Sequence, residues 1–413
     1  MPAAQNSTPT PGDISTLTMC RYIFAGLSAS LIGIGLARFA YTPLIPPLIK
    51  AQWFPADDVV YLGAANLAGY LIGAMVGRSV ARRFGNVATL RSMKIVVTLS
   101  FLACAFPLSV GWFFVWRLLS GVAGGVIMVL VAATILPHMP YHRRGIAGGA
   151  VFLGVGLGIA ASGTVVPLLL RYGLQATWIG LGALSGLLTI ASWTSWPRKE
   201  PPPEAQTAAP KIDRDQSRAG ASVALIYAVY ALMAAGLVAP MVFLVDFIAR
   251  GLQAGDHVGS LFWIVYGLGA MAGPPVYGYI TDRLGGPKAV RLLLFVQAIA
   301  LASLAMTNNF IEIGILTVII GSFPPGIAPL VLGWVREVCP GDLTRQNVIW
   351  SRATIVFAAF QTLAGYAFSA VFSHSNGSYW LLFAMSAVLL AFAFALELFV
   401  PLLARRRLKA IAS

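Results

Sequence analysis

Apolar runs of about 18–25 residues, separated by short polar connections, recur along almost the whole of this 413-residue chain. A helix of about 20 apolar residues crosses the ~30 Å hydrocarbon layer of a bilayer. Inside that layer a single run of this length must satisfy its own backbone hydrogen bonds, which a helix does. Twelve such segments can be counted, spanning approximately 20–42, 59–81, 88–107, 111–136, 145–169, 175–196, 221–247, 257–281, 288–306, 310–336, 343–372 and 378–402. The composition agrees: 10% of residues are charged and the mean hydropathy is +0.81, where soluble domains carry about 25% charged residues. The 42 glycines also fit, because small residues let membrane helices approach closely. The sequence therefore predicts an all-α membrane protein with twelve transmembrane helices.

Residues 1–19 are rich in Pro, Ser and Thr and are expected to form a disordered tail. Arg21 then opens an apolar run that is too long for a signal-peptide core, and no small-residue cleavage site follows. It is expected to be an uncleaved first helix. If the N-terminus is cytoplasmic, the outer connections hold only Lys50, Arg171 and Arg250, and 22 of the 28 Lys and Arg lie at cytoplasmic ends and loops. The positive-inside rule then places both termini in the cytoplasm. Residues 197–220 form the longest polar stretch, a flexible linker by composition. It divides the chain into six-helix bundles at 20–196 and 221–402, followed by a basic tail at 403–413. A shift of 200 residues lays Gly69, Gly73, Arg83 and Gly85 on Gly269, Gly273, Arg283 and Gly285. Repeated halves of this kind are a mark of secondary transporters.

The formal charge of +14 does not indicate nucleic-acid binding, because the basic residues sit in short loops between apolar runs. Cys20, Cys104 and Cys339 form no disulfide or metal pattern. His138 and His142 have the spacing of metal ligands on a helix, but Pro137 and Pro140 interrupt the turn and Arg143 and Arg144 follow it. No metal site, cofactor or phosphate loop is expected, which argues against a membrane enzyme and an ATP-driven pump.

The loop after the eighth segment reads GYITDRLG over residues 278–285. It resembles the G-x-x-x-D-R-x-G signature of the major facilitator superfamily. That resemblance implies a major facilitator fold in which Gly278, Asp282, Arg283 and Gly285 form a cytoplasmic gate, with the Asp282 carboxylate pairing with an arginine. The first-half counterpart keeps Arg83 and Gly85, but Arg82 stands at the acidic position. Arg117, followed by Gly121, Gly124 and Gly125, resembles an exporter motif that implies a cavity-facing, proton-linked arginine. Gly154, Gly156 and Gly158 resemble the fifth helix of antiporters, although Ile159 stands where a proline is expected. The stretch from Gly35 through Arg38, Phe39, Thr42 and Pro43 to Pro46 is similar to a run in the YbfB/YjiJ branch of the superfamily.

Arg38, Arg117 and Arg352 fall inside apolar segments, and no carboxylate occupies a bilayer midplane. An intramembrane ionisable residue marks a functional site by default. The expected cargo is thus a small organic anion held by Arg38 and Arg117, because a guanidinium grips a carboxylate with two hydrogen bonds. Tyr41, Tyr70, Tyr227, Tyr230, Trp263, Tyr266, Gln361 and Arg352 complete the candidate substrate-binding set. Glu312, Asp246 and Arg117 are the candidates for proton coupling. Asp246 and Arg250 stand four apart and can pair with each other, and Glu397 is expected near the cytoplasmic headgroups. Bending is expected at Pro274-Pro275 and Pro324-Pro325. Together these features point to a monomeric secondary transporter of the bacterial inner membrane, working by alternating access with proton coupling. A proton-driven efflux antiporter is the alternative among carriers, and a channel or membrane receptor is the alternative outside them.

Overall fold

The computed structural model describes residues 15–140, 143–197, 216–375 and 377–412, and every regular element among them is a helix. Of the linker expected at 197–220, residues 198–215 lie outside the described residues, as does most of the N-terminal tail, while 216–220 already belong to the helix that follows. Helix α1 (Thr16–Ser30) begins before the expected position because Ser15 caps it, accepting from the backbone N–H of Thr18. It runs through a π-helical turn (Leu31–Leu36) into the short α2 (Ala37–Phe39). Next come α3 (Ile45–Lys50), α4 (Ala56–Phe84), α5 (Asn86–Cys104), α6 (Val110–Ile135), α7 (Arg144–Leu170) and α8 (Leu174–Ala191). The second half holds α9 (Gln216–Gly236), α10 (Val238–Asp246), α11 (Gly255–Leu284), α12 (Gly286–Met306), α13 (Phe310–Val338), α14 (Leu343–His374) and α15 (Tyr379–Ala412). Ten stretches among the described residues are long and apolar enough to cross a membrane.

The two halves repeat in three dimensions with the 200-residue shift seen in the sequence. Gly69 and Gly73 of α4 lie against the carbonyls of Leu118 and Val122 of α6, where any side chain would collide. Gly269 and Gly273 of α11 lie in the same way against Val318 and Ser322 of α13. Gly121 faces the carbonyl of Asn66, and Gly321 faces that of Tyr266. Gly85 (φ 83°) and Gly285 (φ 82°) turn the chain between consecutive helices through left-handed backbone that favours glycine. Burial repeats too. The most apolar windows of α6 and α13 are 78% and 67% buried, against 33% and 39% for α8 and α15. The helices of the first pair are therefore central, and those of the second present apolar faces outward, for example Leu187, Ile190, Val388 and Phe392.

Two charges lie deeper than their sequence neighbours suggest. Glu397 does not reach toward headgroups: it is 1% exposed and pairs with Arg291 of α12. Lys94, counted by sequence at a cytoplasmic helix end, is 1% exposed between α5 and α8. Its ammonium donates to the Ser192 hydroxyl and to the Leu188 carbonyl (3.4 Å), near the C-terminus of α8 where a cation is favoured. Breaking a buried ion pair costs ~3–5 kcal/mol, less where one partner is reached by solvent. Arg291 is 35% exposed, so Glu397→Gln is expected to cost ~1–3 kcal/mol. Thermal unfolding of the purified protein checks this, and adding Arg291→Gln should lower the midpoint little further, because the two act as one unit.

Candidate functional site

The central cavity sits where the π-helical turn and α2, α4, α6, α7, α9, α10, α13 and α14 meet, and Arg38 is the charge within it. The π-helical turn just before Arg38 makes this placement possible. Such a turn inserts a residue and re-aims the side chains beyond it. Gly35 in that turn rests on the backbone of Gly154 and Gly158 of α7, so the two helices touch. Arg38 is half-buried and donates to Oε1 of Gln361 on α14 at 2.7 Å. This bond joins the two halves of the chain. The guanidinium also lies 5.9 Å from the ring centre of Tyr70 and 5.5 Å from that of Phe39.

Of the candidate substrate contacts, the structure brings Arg38, Tyr70, Tyr230 and Gln361 to this cavity, together with Phe152 and Phe357. Tyr266 stands close enough to Arg38 to feel its charge and stacks on Trp263 with ring centres 5.0 Å apart. Trp263 bonds Ser162 of α7 at 3.3 Å, again across the halves. The hydroxyls of Tyr230 and Tyr266 are buried and have no hydrogen-bond partner among the described residues. Buried polar atoms are nearly always paired, so these two hydroxyls present an unfilled demand. The cavity has a volume of about 40 Å³, room for a few waters. That is far below the ~300–1,000 Å³ of typical ligand pockets.

Arg117 does not line this cavity, contrary to the sequence-based expectation. It is 3% exposed, donates to the Ala37 carbonyl at 2.8 Å and lies 4.2 Å over the Tyr41 ring. Tyr41 in turn donates to the Val59 carbonyl at 2.7 Å. The pair sits in the apolar interior of the first half with Phe113 and Trp178. Because α2 ends at Phe39, the Ala37 carbonyl is one that its own helix leaves without a partner. Arg117 supplies that partner and so holds the segment carrying Arg38. Tyr227 and Arg352 lie near each other, with Arg352 also acting on Arg78, away from the cavity lining.

The two carboxylates expected to couple protons, Asp246 and Glu312, are engaged away from this cavity. Asp246 pairs with Arg250 (2.5 and 2.6 Å) and accepts from the Tyr379 hydroxyl at 2.7 Å. Glu312 accepts from the Thr307 hydroxyl in the capped first turn of α13. Neither lines the central cavity. At the gate loop, Asp282 accepts from the backbone N–H of Ile146 at 2.9 Å. Its described partner is thus the N-terminus of α7 rather than an arginine, a position where negative charge is favoured. Gly278 lies against the backbone of Gly145, and Arg283 lies 5.2 Å from the Tyr279 ring centre. In the first half Arg82 bonds Ser79 of its own helix at 3.2 Å and Arg83 lies over the Phe84 ring.

Sequence reasoning missed several of these partners. Trp350 donates to the Met128 carbonyl at 3.1 Å across the halves, and Asn66 bonds Ser120 at 2.9 Å beside Arg117. Asn66 carried a signal, being a lone amide in an apolar run. Trp350 carried none, since aromatics are common in such helices.

The family described as "Uncharacterised MFS-type transporter YbfB" matches residues 30–398. The chain belongs to this family. It is a multi-pass membrane transporter of the major facilitator superfamily, and the enzyme reading falls with that assignment. An uncharacterized MFS-type transporter of Yersinia pestis (strain Pestoides F) is 24% identical over 330 residues, 78% of this chain and 81% of that protein. The 4-hydroxybenzoate transporter PcaK of Acinetobacter baylyi is 32% identical over 125 residues, 29% of this chain and 27% of that protein. Among solved structures, the proton:xylose symporter XylE bound to 6-bromo-6-deoxy-D-glucose superimposes with a TM-score of 0.69 at 15% identity, covering 92% of this chain and 95% of that one. The likeness to XylE concerns the fold alone.

Proposed function

We propose that this secondary transporter carries a small organic monocarboxylate with an apolar, aromatic-sized body, using Arg38 as the carboxylate anchor. The observation that carries the proposal is the placement of Arg38. It is the charged residue lining a cavity between the two halves, its hydrogen-bond partner there is the neutral Gln361, and no acidic residue is among the described lining residues. A carboxylate offers the two acceptors that a guanidinium fork lacks a match for. The unpartnered hydroxyls of Tyr230 and Tyr266 can donate to the same carboxylate or to a ring substituent. Phe152 and Phe357 provide apolar walls for the body of the solute. The partial similarity to a 4-hydroxybenzoate transporter supports this class, since that compound is an aromatic carboxylate.

The proposed topology is twelve spans in two six-helix bundles, with α4 and α11, helices of 29 and 30 residues, completing the ten most apolar stretches. Both termini and the 197–220 linker face the cytoplasm of a bacterial inner membrane, and the carrier acts as a monomer. Moving an anion inward against an inside-negative potential costs ~2.3 kcal/mol per charge for each 100 mV. A proton taken with the anion cancels that term. With Asp246 and Glu312 engaged at the periphery, the proton is proposed to travel with the solute rather than on a fixed cavity carboxylate. Thermal unfolding of the purified protein across carboxylates, sulfonates and organic cations tests the substrate class. Aromatic monocarboxylates are expected to raise the midpoint of the wild type and not of Arg38→Gln. A rise with cations alone would point instead to drug efflux.

A further inference from the structure

The two gate loops close differently, and the difference leaves a second cationic cavity. Asp282 of the second half caps α7 through Ile146. Counting back 200 residues puts Arg82 in the same place in the first half, on α4, a helix that packs against α14. The N-terminus of α14 is capped instead by the residue just before it, Asp342, which accepts from Arg345 N at 2.8 Å. Between Arg82 of α4 and Asn347 of α14 lies a cavity of about 820 Å³. Arg78, Arg82, Arg91, His138, Trp196 and Asn347 help to line it, and no Asp or Glu does among the described residues. Arg78 makes no ion pair or hydrogen bond among the described residues, and the charges acting on it are the cations Arg82 and Arg352. Trp196 is 2% exposed, and among the described residues its indole N–H has no hydrogen-bond partner, nor has Nε of Arg91.

We propose that this cavity is an anion site for a small oxyanion of the phosphate type, which replaces the missing gate carboxylate. Arg78 and Arg82 belong to α4 of the first half and Asn347 to α14 of the second, while Arg352 of α14 acts on Arg78 from outside the lining. With the site empty, the repulsion between Arg78 and Arg352 favours parting of α4 and α14. An oxyanion in the cavity accepts charge-assisted hydrogen bonds from Arg78 and Arg82 and a further one from the Asn347 amide of α14, and so draws this gate shut. The oxyanion is either free phosphate or the headgroup of an anionic phospholipid. The site depends neither on the identity of the cargo nor on Arg38; only calling its face cytoplasmic rests on the topology above.

The test is thermal unfolding of the full chain in phosphatidylcholine nanodiscs, titrated with inorganic phosphate at constant ionic strength. The expected result is a saturable rise of the midpoint in the wild type, lost in the double variant Arg78→Gln, Arg82→Gln. Arg82→Asp, which restores the gate acid, is expected to start at a higher midpoint and to ignore phosphate. If phosphate has no effect but added phosphatidylglycerol raises the midpoint, and the same variants lose that rise, the lipid headgroup is the occupant. The proposal is overturned if neither anion acts, or if both variants keep the response. It is also overturned if Arg38→Gln removes the phosphate response while Arg82→Asp retains it, because phosphate then binds in the central cavity.

Discussion

Uptake of an aromatic monocarboxylate into proteoliposomes is expected to fall by roughly 30- to 4,000-fold in Arg38→Gln. Truncating one partner of a hydrogen-bonded charge pair costs ~2–5 kcal/mol, and each 1.4 kcal/mol is about tenfold. The protein should still fold, because Arg38 bonds one neutral side chain, Gln361, and is only half-buried. Arg38→Lys keeps the charge but loses the planar two-donor fork. It is expected to recover part of the uptake, with a raised KM rather than a lowered kcat. Arg117→Gln gives the contrasting result. Arg117 holds the Ala37 carbonyl inside the first half, so its loss should lower the unfolding midpoint as well as transport. Equal folded stability for Arg38→Gln and reduced stability for Arg117→Gln would separate the anchor from its support.

Gly121→Leu and Gly321→Leu are each expected to leave little or no folded protein. A first side-chain atom at either position runs into the backbone of the facing helix, at Asn66 and Tyr266 respectively. No rotamer relieves a clash with Cβ itself, so the helices must separate. Overpacking a tight interface costs ~1–3 kcal/mol when side chains can adjust, and ~4–5 kcal/mol marks the exceptional cases in which they cannot. Gly186→Ala is the control, since its Cβ would meet only the Thr98 methyl at an ordinary 3.5 Å. Monodisperse yield after detergent extraction measures the effect. The prediction carries a symmetry condition: the two glycines sit at matched positions of a 200-residue repeat, so their losses should be alike.

The repeat shows why the fold is legible in the sequence. Gly69, Gly73 and Gly85 with their partners 200 residues on are visible as a pattern, and the structure shows them at equivalent helix contacts and turns. Helix positions are readable because apolar length carries them; only the ends move, as where Ser15 caps α1 ahead of its apolar run. The candidate site is less readable, because a charge inside an apolar run can face a cavity or the interior of one bundle. Arg38 and Arg117 look alike in sequence. What separates them is a π-helical turn that aims the first at the cavity and a free carbonyl that occupies the second. Glu397 is misplaced by sequence for a related reason: its partner Arg291 lies 106 residues away, and no local pattern announces such a pair. The gate loop is legible as a motif, yet the described contact of Asp282 is a helix N-terminus, which the motif does not specify.

The central claim is that a carboxylate crosses the membrane by binding at Arg38 and alternating with the two halves. Counterflow measures this most directly. Proteoliposomes loaded with unlabelled aromatic monocarboxylate are diluted into a trace of the labelled compound, without any ion gradient. A carrier that shuttles one saturable site is expected to show a transient overshoot of internal label in the wild type and none in Arg38→Gln. Slow equilibration without overshoot, or an equal overshoot in Arg38→Gln, would contradict the account.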